Sequence, residues 1–124
     1  MDSKGKRIRA AFIATCAAGL VGCLDEEQLK VARTGTGEIQ VTIVDENGDP
    51  RGCVRTVAVD KRAAEEPLWI LGQEDPSRCV SGVVIGRSPP GYSGSPRNIS
   101  LERGATYDVY VHGSGFFANT SFTY

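Results

Sequence analysis

From Glu38 onward apolar residues recur at every second position, and this period constrains the fold more than any other feature of the chain. Ile39, Val41 and Ile43 alternate with Gln40 and Thr42, and the run stops at Asp45-Glu46-Asn47-Gly48-Asp49-Pro50, a turn cluster in which Asn-Gly favours positive φ. A period of two places alternate side chains on opposite faces of a strand, so one face can be buried while the other stays wet. Further strands fit Cys53 to Val59, Leu68 to Leu71 around the single tryptophan, Trp69, and Cys79 to Ile85. Tyr107, Val109 and Val111 point one way while Thr106, Asp108, Tyr110 and His112 point the other, and Phe116 to Tyr124 alternates again after a Gly-Ser-Gly turn. Short strands at this spacing predict an all-β domain, a seven-stranded antiparallel β-sandwich over residues 38–124.

The first residues obey a different logic. Lys4, Lys6, Arg7 and Arg9 form a basic start, Ala10 to Leu24 then carries no charge over fifteen residues, and Asp25, Glu26 and Glu27 close the run. That is the layout of a helical secretory signal. A bilayer core asks for roughly 20 apolar residues, so a plain transmembrane span fits less well. Leu20-Val21-Gly22-Cys23 resembles the bacterial lipobox, with an aliphatic residue at −3, a small residue at −1 and a cysteine that becomes the first mature residue. The resemblance implies a signal peptide over 1–22 and a diacylglyceryl thioether on Cys23, with an added N-acyl chain in most Gram-negative bacteria. Two or more acyl chains hold a protein on a membrane where one gives only reversible binding. Leu24 follows the cysteine where an inner-membrane retention signal usually shows Asp, which by the same resemblance favours the outer membrane. Cys16, inside the apolar run, has no assigned role. Residues 23–37 read as a lipidated tether that lifts the domain off the membrane, about 45 to 50 Å if extended, with a short helical turn in DEEQLKVAR.

Removal of 1–22 lowers the basic count from 14 to 10 and the acidic count from 15 to 14, taking the formal charge from −1 to −4. With no basic patch, a nucleic-acid partner is disfavoured. Cys53 and Cys79 remain, and an exported chain meets an oxidising compartment. A Cys53–Cys79 disulfide is the economical reading, since strands running up, down and up bring the two positions to one end. A zinc pair is the rival, but there is one His and no C-x-x-C.

Two further segments resemble known β-sandwiches. Leu101, Gly104 and Tyr107 in LERGATYDVYV are similar to the L-x-x-G-x-x-Y segment of Ig-like and fibronectin type III domains. This implies a tyrosine corner in which the Tyr107 hydroxyl bonds to backbone a few residues upstream. VTIVDENGDPRGCV, through Val41, Ile43, Asp45, Gly48, Pro50, Gly52 and Val54, resembles the first hairpin of carboxypeptidase-regulatory-like domains, which have a transthyretin-like sandwich. Such domains are scaffolding or binding modules and not enzymes.

No residue set favours catalysis or a cofactor. Asp45, Asn47 and Asp49 lack the rest of a Ca²⁺ loop; His112 has no nucleophile in its context; Glu65 and Glu66 read as solvated charge; GYSGSP lacks the nucleophile elbow; and Trp69 reads as core. Arg87 to Asn98, RSPPGYSGSPRN, is the best binding candidate: its prolines hold an extended shape, Tyr92 offers a rigid contact, and Arg87 and Arg97 flank it. A plain surface connection explains the same composition equally well. The expected function is a non-catalytic envelope lipoprotein, anchored by lipid, whose sandwich binds or organises something at the cell envelope, an envelope protein being one candidate partner. The runner-up is a periplasmic inhibitor that inserts loop 87–98 into an enzyme's cleft.

Overall fold

The structure, a computed structural model, describes residues 28–124; the signal, Cys23 and the start of the tether lie outside the described residues. No helix occurs among the described residues, and two antiparallel sheets form a β-sandwich. The strands are β1 (Gln28–Arg33), β2 (Ile39–Val44), β3 (Val54–Lys61), β4 (Trp69–Gln73), β5 (Gly82–Val84), β6 (Tyr92–Ser95), β7 (Thr106–Gly113) and β8 (Phe116–Thr123). One sheet has the order β1-β2-β5 and the other β6-β4-β3-β7-β8.

The inward residues are those the alternation singles out. Val41 and Ile43 of β2 face Val57 and Val59 of β3, Trp69 and Leu71 of β4, and Tyr107, Val109 and Val111 of β7, all nearly inaccessible to water. Gly94 of β6 allows Trp69 to lie beneath that strand, because a Cβ there would come within 2.8 Å of the indole Nε1. Cys53 and Cys79 pair at disulfide distance, with Cα atoms 5.3 Å apart. They lead into β3 and β5, which belong to different sheets, and the Val54 N–H donates to Val80 O beside them at 2.8 Å. The staple therefore ties one layer to the other.

Two segments differ from the sequence reading. Gln28–Arg33 is neither tether nor helical turn: it pairs antiparallel with β2 over six residues, from Gln28↔Val44 to Arg33↔Ile39. Leu29 and Val31 supply the same period of two and pack against the core. The following Thr-Gly-Thr-Gly is a hairpin turn, with Gly37 at φ 85° and its N–H donating to Thr34 O. A six-residue ladder outweighs the weak helical preference of DEEQLKVAR, because tertiary pairing overrides propensity. The domain accordingly begins by residue 28 rather than 38, and the strands among the described residues number eight rather than seven.

The second difference lies in the proline-rich segment. Tyr92–Ser95 forms an edge strand against β4, from Gln73↔Tyr92 to Ile70↔Ser95, with Pro89, Pro90 and Pro96 outside the ladder. Proline excludes a central strand but is tolerated beside an edge. Cys79–Ile85 also shortens to Gly82–Val84.

The strand directions define two ends. Gln28, the Asp45–Pro50 turn, the cysteine pair and the Gly113–Phe116 hairpin share one end. Arg33, Ile39, Lys61, Thr106 and Thr123 mark the other.

Candidate functional site

A cleft of about 500 Å³ opens at the second end, between the β1–β2 turn, the exit of β5, the segment 98–101 and the end of β8. Ile39, Ile85, Ile99, Leu101 and Tyr124 give it apolar walls, and Thr36, Glu38, Arg87, Asn98 and Ser100 a polar rim. Alternation sends Ile39 inward at the first position of β2, while Ile99 and Leu101 do the same from irregular chain. The Glu38 carboxylate is engaged on both oxygens: Thr36 Oγ1 donates to Oε1 at 3.1 Å, and Arg87 Nε lies 2.7 Å from Oε2. On the opposite lip Arg33 Nη2 donates to the main-chain oxygen of Tyr124 at 3.1 Å, and its guanidinium sits 4.8 Å above the Tyr124 ring. The Tyr124 hydroxyl donates to Gly37 O at 3.3 Å, closing the floor. Two guanidinium groups thus stand at a cleft that has apolar residues in its walls but a mostly polar exposed surface, to which the Glu38 carboxylate belongs.

Of the residues singled out in the sequence, Arg87 lines this cleft, and Arg97 is exposed beside the lining residue Asn98. Tyr92 is not an exposed contact. It is 7% accessible, its hydroxyl donates to Val54 O at 2.6 Å and accepts from Val80 N–H at 3.2 Å, and it belongs to the end that carries the cysteines. Position 92 begins β6, and strand parity turns its ring inward between the sheets. Tyr107 is also buried; its hydroxyl accepts from the Glu102 N–H at 2.7 Å, a bond to backbone five residues upstream. Asp45 Oδ1 accepts from Asn47 N–H and Asp49 N–H, at 2.9 and 3.0 Å, so this carboxylate is engaged in shaping its own turn. Trp69 lies in the core, and His112, Glu65 and Glu66 are exposed.

Near the cleft end, two ion pairs shift carboxyl groups. Hydrogen bonding from Lys61, with its charge in support, holds the Glu102 carboxyl below its ordinary value. Arg62 does the same for Asp108 by donating from Nη2 at 2.6 Å. No group of three or more His, Cys, Asp or Glu side chains is placed to hold a metal among the described residues.

Glu38, Ile99, Leu101 and Tyr124 were not legible as site residues. The available signal was the pair Ile99 and Leu101, two apolar side chains set two apart in otherwise polar chain. No protein-family model, curated protein or solved structure matches the chain.

Proposed function

We propose that the chain is a membrane-anchored lipoprotein of the bacterial cell envelope, lipidated at Cys23, whose β-sandwich is a non-catalytic binding module presenting the cleft away from the membrane. The anchor rests on the lipobox-like Leu20-Val21-Gly22-Cys23, and the single observation that carries the orientation is the position of β1. It begins five residues after Cys23, at the end of the sandwich opposite the cleft. Five residues span at most about 18 Å, which replaces the long tether with a short one. The six residues of β1 then carry the chain roughly 17 Å further, toward the cleft. A lipid at Cys23 therefore holds the Asp45–Pro50 turn near the bilayer and leaves Arg87 and Arg33 facing outward.

The cleft suits a ligand that is mainly hydrogen-bonding or anionic, with a smaller apolar part to meet Ile39, Ile85 and Ile99. Arg87 meets Glu38 through Nε, so its terminal nitrogens are oriented for a ligand by a carboxylate that Thr36 also holds. The inhibitor reading has less support: it needs loop 87–98 to insert into a partner, while β6 and the buried Tyr92 bind the middle of that loop to the domain.

The test is energy transfer in vesicles of phosphatidylethanolamine and phosphatidylglycerol whose headgroups carry an acceptor dye. A fluorescent amino acid replaces Asn47 or Arg97 in the lipidated chain. Transfer should be stronger from position 47; equal or stronger transfer from 97 refutes the orientation. Equal vesicle association of wild type and Cys23→Ser refutes the anchor.

A further inference from the structure

β5 ends one side of the three-stranded sheet, and its outer edge pairs with no strand among the described residues. The Ile43 N–H donates to Ser81 O at 2.8 Å and the Ile85 N–H to Ile39 O at 2.9 Å, which marks the hydrogen-bonded pairs of the β2–β5 ladder. Such pairs recur at every second residue, so Val83 also bonds to β2, opposite Val41, and Gly82 and Val84 turn their N–H and C=O groups outward. Of these outward groups, Val84 O is already engaged. It accepts from the Arg87 N–H at 3.0 Å, across the turn that Gly86 makes at φ 92°.

A slot of about 330 Å³ lies along this edge, with Gly82, Val83 and Val84 on one side and Arg87, Ser88 and Pro89 on the other. Arg87 lines both the slot and the cleft. Its Nε meets Glu38, so its terminal nitrogens are left for a ligand where the two spaces join.

The outward groups select an occupant and its direction. An antiparallel strand would bond to Val84 through both N–H and C=O, and that carbonyl is engaged. A parallel strand needs the Gly82 C=O and the Val84 N–H, which a single residue set opposite Val83 joins through its own N–H and C=O. β5 is antiparallel to β2 and runs from the cysteine end toward the cleft, so a parallel chain brings its C-terminus to Arg87. The pairing edge then stops at the Gly86 turn. A chain that continued would strip water from backbone groups that find no partner, whereas a chain that ends there offers a carboxylate to a guanidinium.

We infer that the β5 edge and Arg87 form a docking slot for the C-terminus of an extended peptide, which adds parallel to β5, sets its terminal carboxylate on the Arg87 guanidinium and lays apolar residues against Val84 and Pro89. This names the ligand class for the site that Arg87 shares with the cleft, and so rests on the binding role proposed above but not on the lipid anchor.

The test uses the full chain in detergent and a library of short random peptides held by their N-termini, made once with free C-terminal carboxylates and once with amides. The free-acid library should yield binders with apolar residues near the terminus. Amidation of a binder should weaken it roughly ten-fold or more, as loss of a charge-assisted hydrogen bond does. Arg87→Gln should weaken it comparably, while Arg55→Gln, which removes the same charge beside Ser114 at the opposite end, leaves it unchanged. In the wild type, which requires no variant to fold, a soluble binder should slow hydrogen exchange of the Val84 amide by about ten-fold or more and shift the NMR resonance of Gly82. No binder in the free-acid library, equal binding after amidation, or a Val84 amide that gains no protection would overturn the assignment. A binder that shifts Thr36, Ser100 and Tyr124 but neither Gly82 nor Val84 would overturn the slot while retaining the cleft as a binding site, which separates the failure of this inference from that of the reading it rests on.

Discussion

Tyr92→Phe isolates the hydroxyl that joins the two layers beside the cysteines. The substitution keeps the ring, which is 7% accessible, and removes one oxygen. That oxygen donates to Val54 O at 2.6 Å and accepts from Val80 N–H at 3.2 Å. Phenylalanine leaves a buried carbonyl without this donor and an amide without this acceptor. A net hydrogen bond contributes about 1 kcal/mol, and an unsatisfied buried group costs about 1–3 kcal/mol, so the expected loss is about 2 kcal/mol. For a domain of this size a urea slope of about 1–2 kcal/mol per M turns that into a midpoint lower by about 1–2 M. The assay is urea unfolding of the full chain in detergent, with the disulfide oxidised, followed by Trp69 fluorescence. An unchanged slope would show that the native state, and not the compactness of the denatured chain, has been altered. A variant that unfolds at the wild-type midpoint would refute the argument, since Tyr92 would then be acting through its ring alone.

Three further outcomes follow from the same geometry. Tyr107→Phe should cost about 1–2 kcal/mol by stranding the Glu102 N–H, whereas Tyr110→Phe, at an exposed position, should stay within about 0.5 kcal/mol; paired urea midpoints compare them. Asp60 faces Asp108 directly across β3 and β7 and has a buried Oδ1 without a hydrogen-bond partner, so Asp60→Asn should raise stability by about 0.5–1 kcal/mol in thermal unfolding. Asp75, Glu102 and Asp108 have carboxyl groups held below their ordinary values of 3.8, 4.5 and 3.8, so their contribution is present above those values and is lost as the pH falls through the lowered ones. Unfolding midpoints should therefore fall below about pH 4.5, and Glu102→Gln with Asp108→Asn should flatten that decline.

The sandwich was legible because burial writes itself into alternation: Val41, Ile43, Val57, Val59, Val109 and Val111 all face the core from positions that the period of two selects. The Cys53–Cys79 pairing was legible because few partners existed. β1 was not, since Gln28 to Arg33 carries only Leu29 and Val31 as apolar markers and gains its structure from the unpaired edge of β2. Tyr92 misled for a related reason. Its neighbours Pro89, Pro90 and Pro96 describe a loop, yet the four residues between them fit an edge ladder, and parity then buries the ring. The cleft eluded the sequence because it joins the β1–β2 turn, the exit of β5, segment 98–101 and the C-terminal residue, positions far apart in the chain that meet only once both sheets close.

The proposal as a whole turns on Cys23, because the anchor and the outward direction of the cleft both depend on it. Mass spectrometry of the intact protein from the membrane fraction of expressing bacteria measures that residue directly. The account predicts a mature chain that starts at Cys23 and carries a diacylglyceryl group on it, with an added acyl chain in a Gram-negative host, and with Cys53 and Cys79 joined. A mature protein with an unmodified Cys23, or one cleaved at another position, would contradict it.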